Sequence, residues 1–341
     1  ELKDSSKDTH NFQLLKKRLN SDGYLFIRGF HSKSKIIDAR NFILKAIKED
    51  GGLKEGTNLE DGLVGKDNKN YLFLRNLKIA HSKEVLEVVN SQNTFKFFQN
   101  LLGGKVITFD KKWLRCMAKG GQNHFHYDYV YVGRGSKSRL TMWSCFTDIK
   151  LNGGPLVICL GSHRHKKLIS TYGSSDIDKD FTEAIFSESP SEMVDKFGFK
   201  LGTTNFKPGD TLIFGMHMMH SSAPNMTSKY RISIDTRYQL ADEEKDDRFF
   251  FNADGTWLGN YYNKDAIYTS MDELRKSVDF LTSKSVNFSI LQCTSKYPTE
   301  PNDWGLNYIK ILKENFNVPI GYSDHSGEIF SSLAAVALGA E

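Results

Sequence analysis

The sequence predicts a mainly β protein with flanking helices, followed by an incomplete α/β segment. Three observations carry this. An amphipathic helical stretch fills the N-terminal part of the 341-residue chain. After Gly103-Gly104 the chain changes to short apolar runs broken by Gly, Asn, Asp and Pro, the pattern of an antiparallel β sandwich or barrel. From about Asp265 helical and strand patterns alternate, the mark of βα units and a parallel sheet.

In chain order, Phe12, Leu14, Leu15 and Leu19 fall near helical spacing before the stop Asp22-Gly23, and Tyr24 to Phe30 reads as a strand. Ile36, Ile37, Ala39, Phe42, Ile43, Ala46 and Ile47 form one apolar helical stripe closed by Gly51-Gly52. The segment from Asp50 to Asn70 is rich in Gly, Asp, Asn and Lys and predicts a long loop able to cover a site. A helix is expected from Lys83 to Leu102. Expected strands are Val106 to Ala118, Tyr127 to Val132, Arg139 to Ile149, Leu156 to Leu160, Thr211 to Met216 and Arg231 to Gln239, with Asn152-Gly-Gly-Pro155 as a turn. Ser170 to Gly198 reads as a polar, partly helical surface insertion. The C-terminal alternation predicts Met271 to Leu281, Trp304 to Phe316 and Glu328 to Leu338 as helices, and Phe288 to Cys293 and Val318 to Tyr322 as strands. The expected organisation is therefore residues 1–250, a linker 251–265, and a second module 266–341.

Composition bounds the function. Hydrophobic residues are 39% and charged residues 26%, with 24 Phe and 14 Tyr, enough for a packed core. The net charge is +5 and the charges are interspersed, so the basic runs of a nucleic-acid tail are missing and a small-molecule substrate is expected. Cys116, Cys145, Cys159 and Cys293 form no CxxC pair, which favours a reducing cytoplasm over a disulfide framework. No apolar run reaches the ~20 residues of a membrane helix, and no membrane partner is expected.

The chemistry concentrates in Asn123-His-Phe-His-Tyr-Asp128. His124, His126 and Asp128 alternate, so an extended backbone would point all three to one face. Two of them with one distant His would make a facial triad, the two-imidazole, one-carboxylate set of non-haem Fe(II) oxygenases. The distant candidates are His217 and His220; His220 is preferred because it precedes the Ser-Ser-Ala-Pro-Asn225 turn. Arg231 follows in a strand reading Arg-Ile-Ser-Ile-Asp-Thr-Arg, where a buried guanidinium can grip a carboxylate. Tyr127, Tyr129, Tyr131 and Trp143 are candidate pocket aromatics, and Arg134, Lys137, Arg164 and Lys166 candidate contacts for an anionic substrate. His163 and His165 read as a basic rim.

From about Phe12 to Gln239 these residues resemble the phytanoyl-CoA dioxygenase family of Fe(II)/2-oxoglutarate oxygenases. The match rests on Leu15-Lys-Lys-Arg-Leu-Asn-Ser-Asp-Gly-Tyr24, the His126/Asp128 pair, Asn152-Gly-Gly-Pro-Leu-Val-Ile-Cys-Leu-Gly-Ser-His163, Gly209-Asp-Thr-Leu-Ile-Phe214, His220, and Arg231 with Ser233. The resemblance implies a double-stranded β-helix of the jelly-roll or cupin kind. It also implies Fe(II) held by His126, Asp128 and His220, 2-oxoglutarate anchored by Arg231 and Ser233, and O2-dependent hydroxylation of a small molecule. From about Ala266 the chain resembles a second family, the sialic acid synthases. Here the carriers are Ser289-Ile-Leu-Gln-Cys-Thr-Ser-Lys-Tyr-Pro-Thr299, Leu306-Asn-Tyr-Ile-Lys-Ile-Leu-Lys313, Val318-Pro-Ile-Gly-Tyr-Ser-Asp-His325 and Ser332-Leu-Ala-Ala-Val-Ala-Leu-Gly-Ala340. That likeness implies a metal-ligand role for His325, with Gln292 where many members have a second His. Residues 266–341 cannot supply the eight βα units of a closed TIM barrel. The remainder of a synthase barrel or a second copy of the chain is the expected macromolecular partner. Two functions follow: a dioxygenase acting on a sugar acid or surface-polysaccharide precursor, or a non-catalytic β-helix module, or accessory domain, fused to a synthase-type enzyme.

Overall fold

The computed structural model describes residues 1–73, 77–180, 184–252, 258, 271–294 and 298–341. It divides into two compact units, Glu1–Asn260 and Tyr261–Glu341. Apart from Phe251, Asn252 and Leu258, the expected linker 251–265 lies outside the described residues, as does the expected start of the second module at 266.

In the first unit the strands are β1 (Tyr24–Ile27), β2 (Tyr71–Phe73), β3 (Val106–Thr108), β4 (Trp113–Met117), β5 (Asn123–His126), β6 (Leu140–Cys145), β7 (Leu156–Leu160), β8 (Lys200–Gly202), β9 (Thr211–Gly215), β10 (His220–Ser222) and β11 (Arg231–Leu240). They form two antiparallel sheets. One has the order β1-β9-β6-β11-β4-β2 with β3 also on β11, and the other β5-β10-β7-β8. Two strands show how the sheets layer. Leu25 and Ile27 of β1 join the helices Phe12–Asp22, Lys33–Glu49, Lys83–Val89 and Gln92–Leu102 in one apolar core, while Tyr24 and Phe26 pack with Trp143, Leu156, Ile158 and Phe214 between the sheets. β11 does the same with a polar inner face: Ile232, Ile234 and Tyr238 go to the helical core, and Arg231, Ser233, Asp235, Arg237 and Gln239 alternate with them. Two facing antiparallel sheets under a helical layer are the expected mainly β class with a jelly-roll plan.

The helices end where the sequence places capping groups. Asn11 accepts from the Leu14 amide at 3.1 Å, and Gly23, at φ 83°, closes the first helix with its N–H on Leu19 O. A side chain at Gly23 would also collide with the His163 ring, 2.4 Å from an added Cβ.

Several elements differ from expectation. The helix predicted from Lys83 to Leu102 is two helices, because Ser91 leaves helical geometry and its hydroxyl caps Thr94 N at 3.2 Å. The strand predicted from Val106 to Ala118 breaks at Phe109–Lys112, where Asp110 N and Lys111 N bond to Phe249 O rather than to a neighbouring strand. Tyr127 to Val132 is not a strand. Asp128 sits at φ −61°, ψ −26°, and its carbonyl accepts from Tyr131 N and Val132 N, so Tyr129–Val132 is a helical turn despite its β-favouring composition. Nor is the 170–198 insertion merely surface: Tyr172, Phe186, Met193 and Phe197 pack on Phe125 and Tyr127, while residues 181–183 lie outside the described set. The Asp50–Asn70 loop is fastened by Val64 N to Ser228 O at 2.8 Å, by Tyr230 Oη to Gly52 O and Lys69 O, and by Asn68 Nδ2 to Lys119 O.

In the second unit, β12 (Ile290–Cys293) and β13 (Ile320–Ser323) pair in parallel, with helices Met271–Ser283, Asn307–Asn315 and Ile329–Ala337. Its buried centre is Ile309, Leu312, Phe316, Ile320 and Ala335. Two parallel strands among the described residues do not close a barrel; residues 295–297, within the synthase-like motif, lie outside them.

His31 offers a direct test of the first unit's core. Burial pushes this imidazole down to about 3, outweighing a backbone hydrogen bond at Val88 that acts in the opposite direction, while Nε2 meets Ser144 Oγ at 2.8 Å. The unfolded chain takes up this proton near the ordinary pKa of about 6.5, and the folded chain only near 3. Stability from this group is thus complete above pH ~6.5 and falls as pH drops towards 3, by up to about tenfold in the folding constant per pH unit. Urea unfolding of His31→Gln between pH 4 and 7 should show a shallower pH slope than the native chain; an identical slope refutes the assignment.

Candidate metal centre

The centre is assembled across the four-stranded sheet. β5 and β10 are antiparallel with His126 directly opposite His220, and a bulge follows between His220 and Ser222. Facing positions on paired strands stand close enough for side chains to touch, and the two imidazole centroids are 4.3 Å apart. Asp128 arrives by the helical turn after β5. Its Oδ1 lies 3.7 Å from His126 Nε2 and 3.9 Å from His220 Nε2. Ligand atoms of these three residues lie within 4.8 Å of one another, and no other such His/Cys/Asp/Glu group of three occurs among the described residues.

Backbone carbonyls set both imidazoles. His126 Nδ1 donates to the His124 carbonyl at 2.7 Å, and His220 Nδ1 to the Met218 carbonyl at 2.9 Å. A carbonyl can only accept, so each Nδ1 carries a proton and each Nε2 is turned to the common point at Asp128. Burial, reinforced by His220, depresses His126 to about 3, which keeps the ring neutral at physiological pH. Burial raises the Asp128 carboxyl, but Arg237, His220, His126 and Thr141 outweigh it and hold the group well below the usual carboxylate range. Arg237 Nη2 donates to Oδ1 at 2.9 Å and Thr141 Oγ1 to Oδ2. Two imidazoles and one ionised carboxylate, oriented by backbone and hydroxyl partners, are a donor set that fits a divalent transition metal.

Arg231 is buried at the start of β11. Its Nε donates to Gly154 O at 2.9 Å and its Nη1 to Ser233 Oγ at 2.8 Å. Burial lowers the guanidinium to about 10 and Asp235 opposes the shift, so it stays charged at neutral pH. The Gly-Gly-Pro turn thus supplies the carbonyl that aims this side chain.

The remaining candidates separate. His124 Nε2 meets Glu188 Oε1 at 3.7 Å and is not in the cluster; the expectation that all three alternating residues share one face fails because the register of β5 on β10 shifts between Asn123 and His126, breaking the alternation, and Asp128 joins from the helical turn. His217 Nε2 meets Gly173 O at 2.8 Å and its ring stacks on Tyr129. Tyr131 stands edge-on to His126 at 5.4 Å, and Trp143 lies under the Arg231 guanidinium at 6.0 Å, whereas Tyr127 is core and donates to Ser162 O. Arg134 is committed to Asp176 and Asp178, Lys137 lies over the Tyr129 ring, and Arg164 and Lys166 are exposed. His163 and His165, read as a basic rim, stand outside the cluster. His165 caps Leu168 N, and His163 Nε2 meets Asn20 O at the end of the first helix. In the second unit His325 Nδ1 meets Thr294 O at 3.0 Å, and the Gln292 amide packs by Gly305.

Sequence reasoning missed Thr141, the pair Arg115–Asp235 and Arg237. The period-two polar row from Arg231 through Gln239 carries the signal for the last two, since a buried strand with one polar face points that face at something polar.

Comparison with known proteins agrees with this geometry. The NeuB family matches residues 268–341 and the phytanoyl-CoA dioxygenase family residues 19–233. N-acetylneuraminate-9-phosphate synthase of Homo sapiens is 44% identical over 73 residues, 21% of this chain and 20% of that one; the chain spans about a fifth of the length of such synthases. The 1-deoxypentalenic acid 11-beta-hydroxylase of Streptomyces arenae is 24% identical over 247 residues, covering 69% of this chain and 82% of that one. The structure of EctD from S. alaskensis with 2-oxoglutarate and 5-hydroxyectoine is 18% identical with a TM-score of 0.49, covering 72% and 82%. With its family match spanning His126 and Asp128 as well as Arg231 and Ser233, the chain belongs to the phytanoyl-CoA dioxygenase family.

Proposed function

We propose that the first unit is an Fe(II)- and 2-oxoglutarate-dependent dioxygenase that hydroxylates a small molecule. The observation that carries this is the convergence of His126, Asp128 and His220 in a unit that also buries Arg231 beside Ser233. His126, Asp128 and His220 would hold Fe(II). The ion, with 2-oxoglutarate and O2, would supply the oxidative decarboxylation that drives hydroxylation. Arg231 would bind the distal carboxylate of 2-oxoglutarate, since Gly154 O and Ser233 Oγ fix two of its nitrogens and leave Nη2 for the ligand. The apolar packing of Trp143, Phe214 and Met218 between the sheets limits water around the centre.

For the substrate we infer a sugar acid or surface-polysaccharide precursor. The support is the C-terminal unit, whose relatives include synthases named for N-acetylneuraminate, legionaminic acid and pseudaminic acid. Four free cysteines favour a cytoplasmic setting, and no described helix is long and apolar enough to cross a membrane.

Anaerobic addition of Fe(II) and 2-oxoglutarate should produce a visible charge-transfer band. His126→Ala and His220→Ala should abolish it and His124→Ala should retain it; a band indifferent to His220→Ala sinks the ligand assignment. Arg231→Ala should bind Fe(II) as before but require roughly 10- to 100-fold more 2-oxoglutarate, the loss of a charge-assisted contact. Admission of O2 should release succinate without substrate, and a chain lacking residues 266–341 should still do so, measured as succinate per iron. Loss of succinate from a folded truncated chain would instead tie turnover to the second unit.

A further inference from the structure

Charge around the centre is unevenly matched. On the polar face of β11, Asp235 forms an ion pair with Arg115, and the contacts of Arg231 are a carbonyl and a hydroxyl. Arg237 lies further along the same face and is 4% exposed. Its Nη2 donates to Asp128 Oδ1, and its guanidinium lies 4.0 Å from the centroid of the Trp113 ring. Its Nε and Nη1 are buried and have no hydrogen-bond partner among the described residues. Two neighbouring buried cations are likewise held by neutral acceptors: Lys112 by Phe109 O and Thr108 Oγ1, and Arg139 by Gln239 Oε1 and Val132 O. Burial and the charge of Arg237 pull Lys112 down to about 7, against the attraction of Asp110.

Asp128 is thus the one carboxylate bonded to Arg237 among the described residues, and it is the carboxylate assigned to iron. A divalent ion held there would engage that charge and leave a buried guanidinium with two unused donors and no full counter-charge. Such a group is strongly unfavourable unless an anion arrives. With one face covered by Trp113, an anion meets the guanidinium edge-on, where Nε and Nη1, on opposite sides of the group, each offer N–H to a carboxylate oxygen.

We propose that Arg237 is an anion-binding residue of this centre, taking a carboxylate that a ligand brings beside the metal. This rests on the iron and 2-oxoglutarate reading. The carboxylate comes either from the oxo acid itself, at the end remote from Arg231, or from an acidic substrate.

The test uses the full chain loaded with Mn(II), and calorimetric titration of the native protein, Arg237→Gln and Arg237→Lys. The probes are 2-oxoglutarate, N-acetylneuraminate, and the methyl ester of N-acetylneuraminate. At Mn(II) concentrations that saturate each protein, Arg237→Gln should weaken one carboxylate ligand roughly 10- to 100-fold, with part of the affinity restored in Arg237→Lys. Weakened 2-oxoglutarate identifies the oxo acid as the source. N-acetylneuraminate binding reduced to the level of its ester identifies the substrate. Native 2-oxoglutarate affinity in Arg237→Gln, with no native preference for the acid over its ester, overturns the proposal. So does a loss of Mn(II) affinity alone, which would make Arg237 a positioning residue for Asp128. If circular dichroism shows Arg237→Gln unfolded, Arg237→Lys carries the comparison, and its unchanged affinity for every probe is then the overturning result. Native protein that binds Mn(II) but never 2-oxoglutarate defeats the underlying oxygenase reading, a different failure from one seen only in the variants.

Discussion

The cross-strand pair His126 and His220 is the constraint on which the centre depends. Nothing local in the chain brings these residues together; the antiparallel register of β5 on β10 does so. A slip of one residue would turn each side chain to the opposite face of its sheet. The register is held from the other side as well, since β10 also pairs with β7, with His220 opposite Ile158. Ile158 belongs to the apolar packing between the sheets, so core burial and ligand placement are set by the same strand.

Given that register, the centre is a problem of burying charge. Asp128 and Arg237 are each almost wholly inaccessible, and desolvation opposes ionisation of the carboxylate. The carboxylate stays ionised because a guanidinium, a hydroxyl and two imidazoles surround it. Such a pair adds little net stability, as desolvation consumes most of its Coulombic gain. Its contribution is preorganisation: Thr141 and Arg237 hold the two oxygens, and the backbone holds the two rings, before any ion is present.

What could be read from the sequence follows the same division between local and non-local causes. The stripe from Ile36 to Ile47, the caps at Asn11 and Gly23 and the alternation in β11 are local, and the corresponding elements are where periodicity places them. The sequence likewise pointed to His126, Asp128, His220 and Arg231, through residue types and a family resemblance, and the fold brings the first three within one cluster. Illegible were the features set by distant partners. Tyr129–Val132 has strand composition yet forms a turn, because the Asp128 carbonyl collects its amides. His124 has the same spacing to His126 as His126 has to Asp128, and their fates are separated by a register shift of β5 on β10 and by the turn that carries Asp128. Strands as short as β8 and β10 carry too few residues to show a period at all.

β11 shows how one element can serve stability and chemistry without the two competing for the same atoms. Its apolar side chains lock into the helical core, where Tyr238 stacks on Phe98 with ring centroids 4.0 Å apart. Its polar side chains stand on the other face and gain little from the hydrophobic effect. They are tolerated there because the apolar face fixes the strand rigidly enough for each polar group to keep a defined partner: Ser233 for Arg231, Arg115 for Asp235, Asp128 for Arg237 and Arg139 for Gln239. Of these, Arg231 bonds a carbonyl and a hydroxyl, Arg237 has two donors without a partner among the described residues, and both sit on the face that carries the chemistry. Among the described residues the buried donors of this strand left without a partner are those of Arg237, so it is this guanidinium that is open to an anion, and the helical layer behind the strand is what holds it in place.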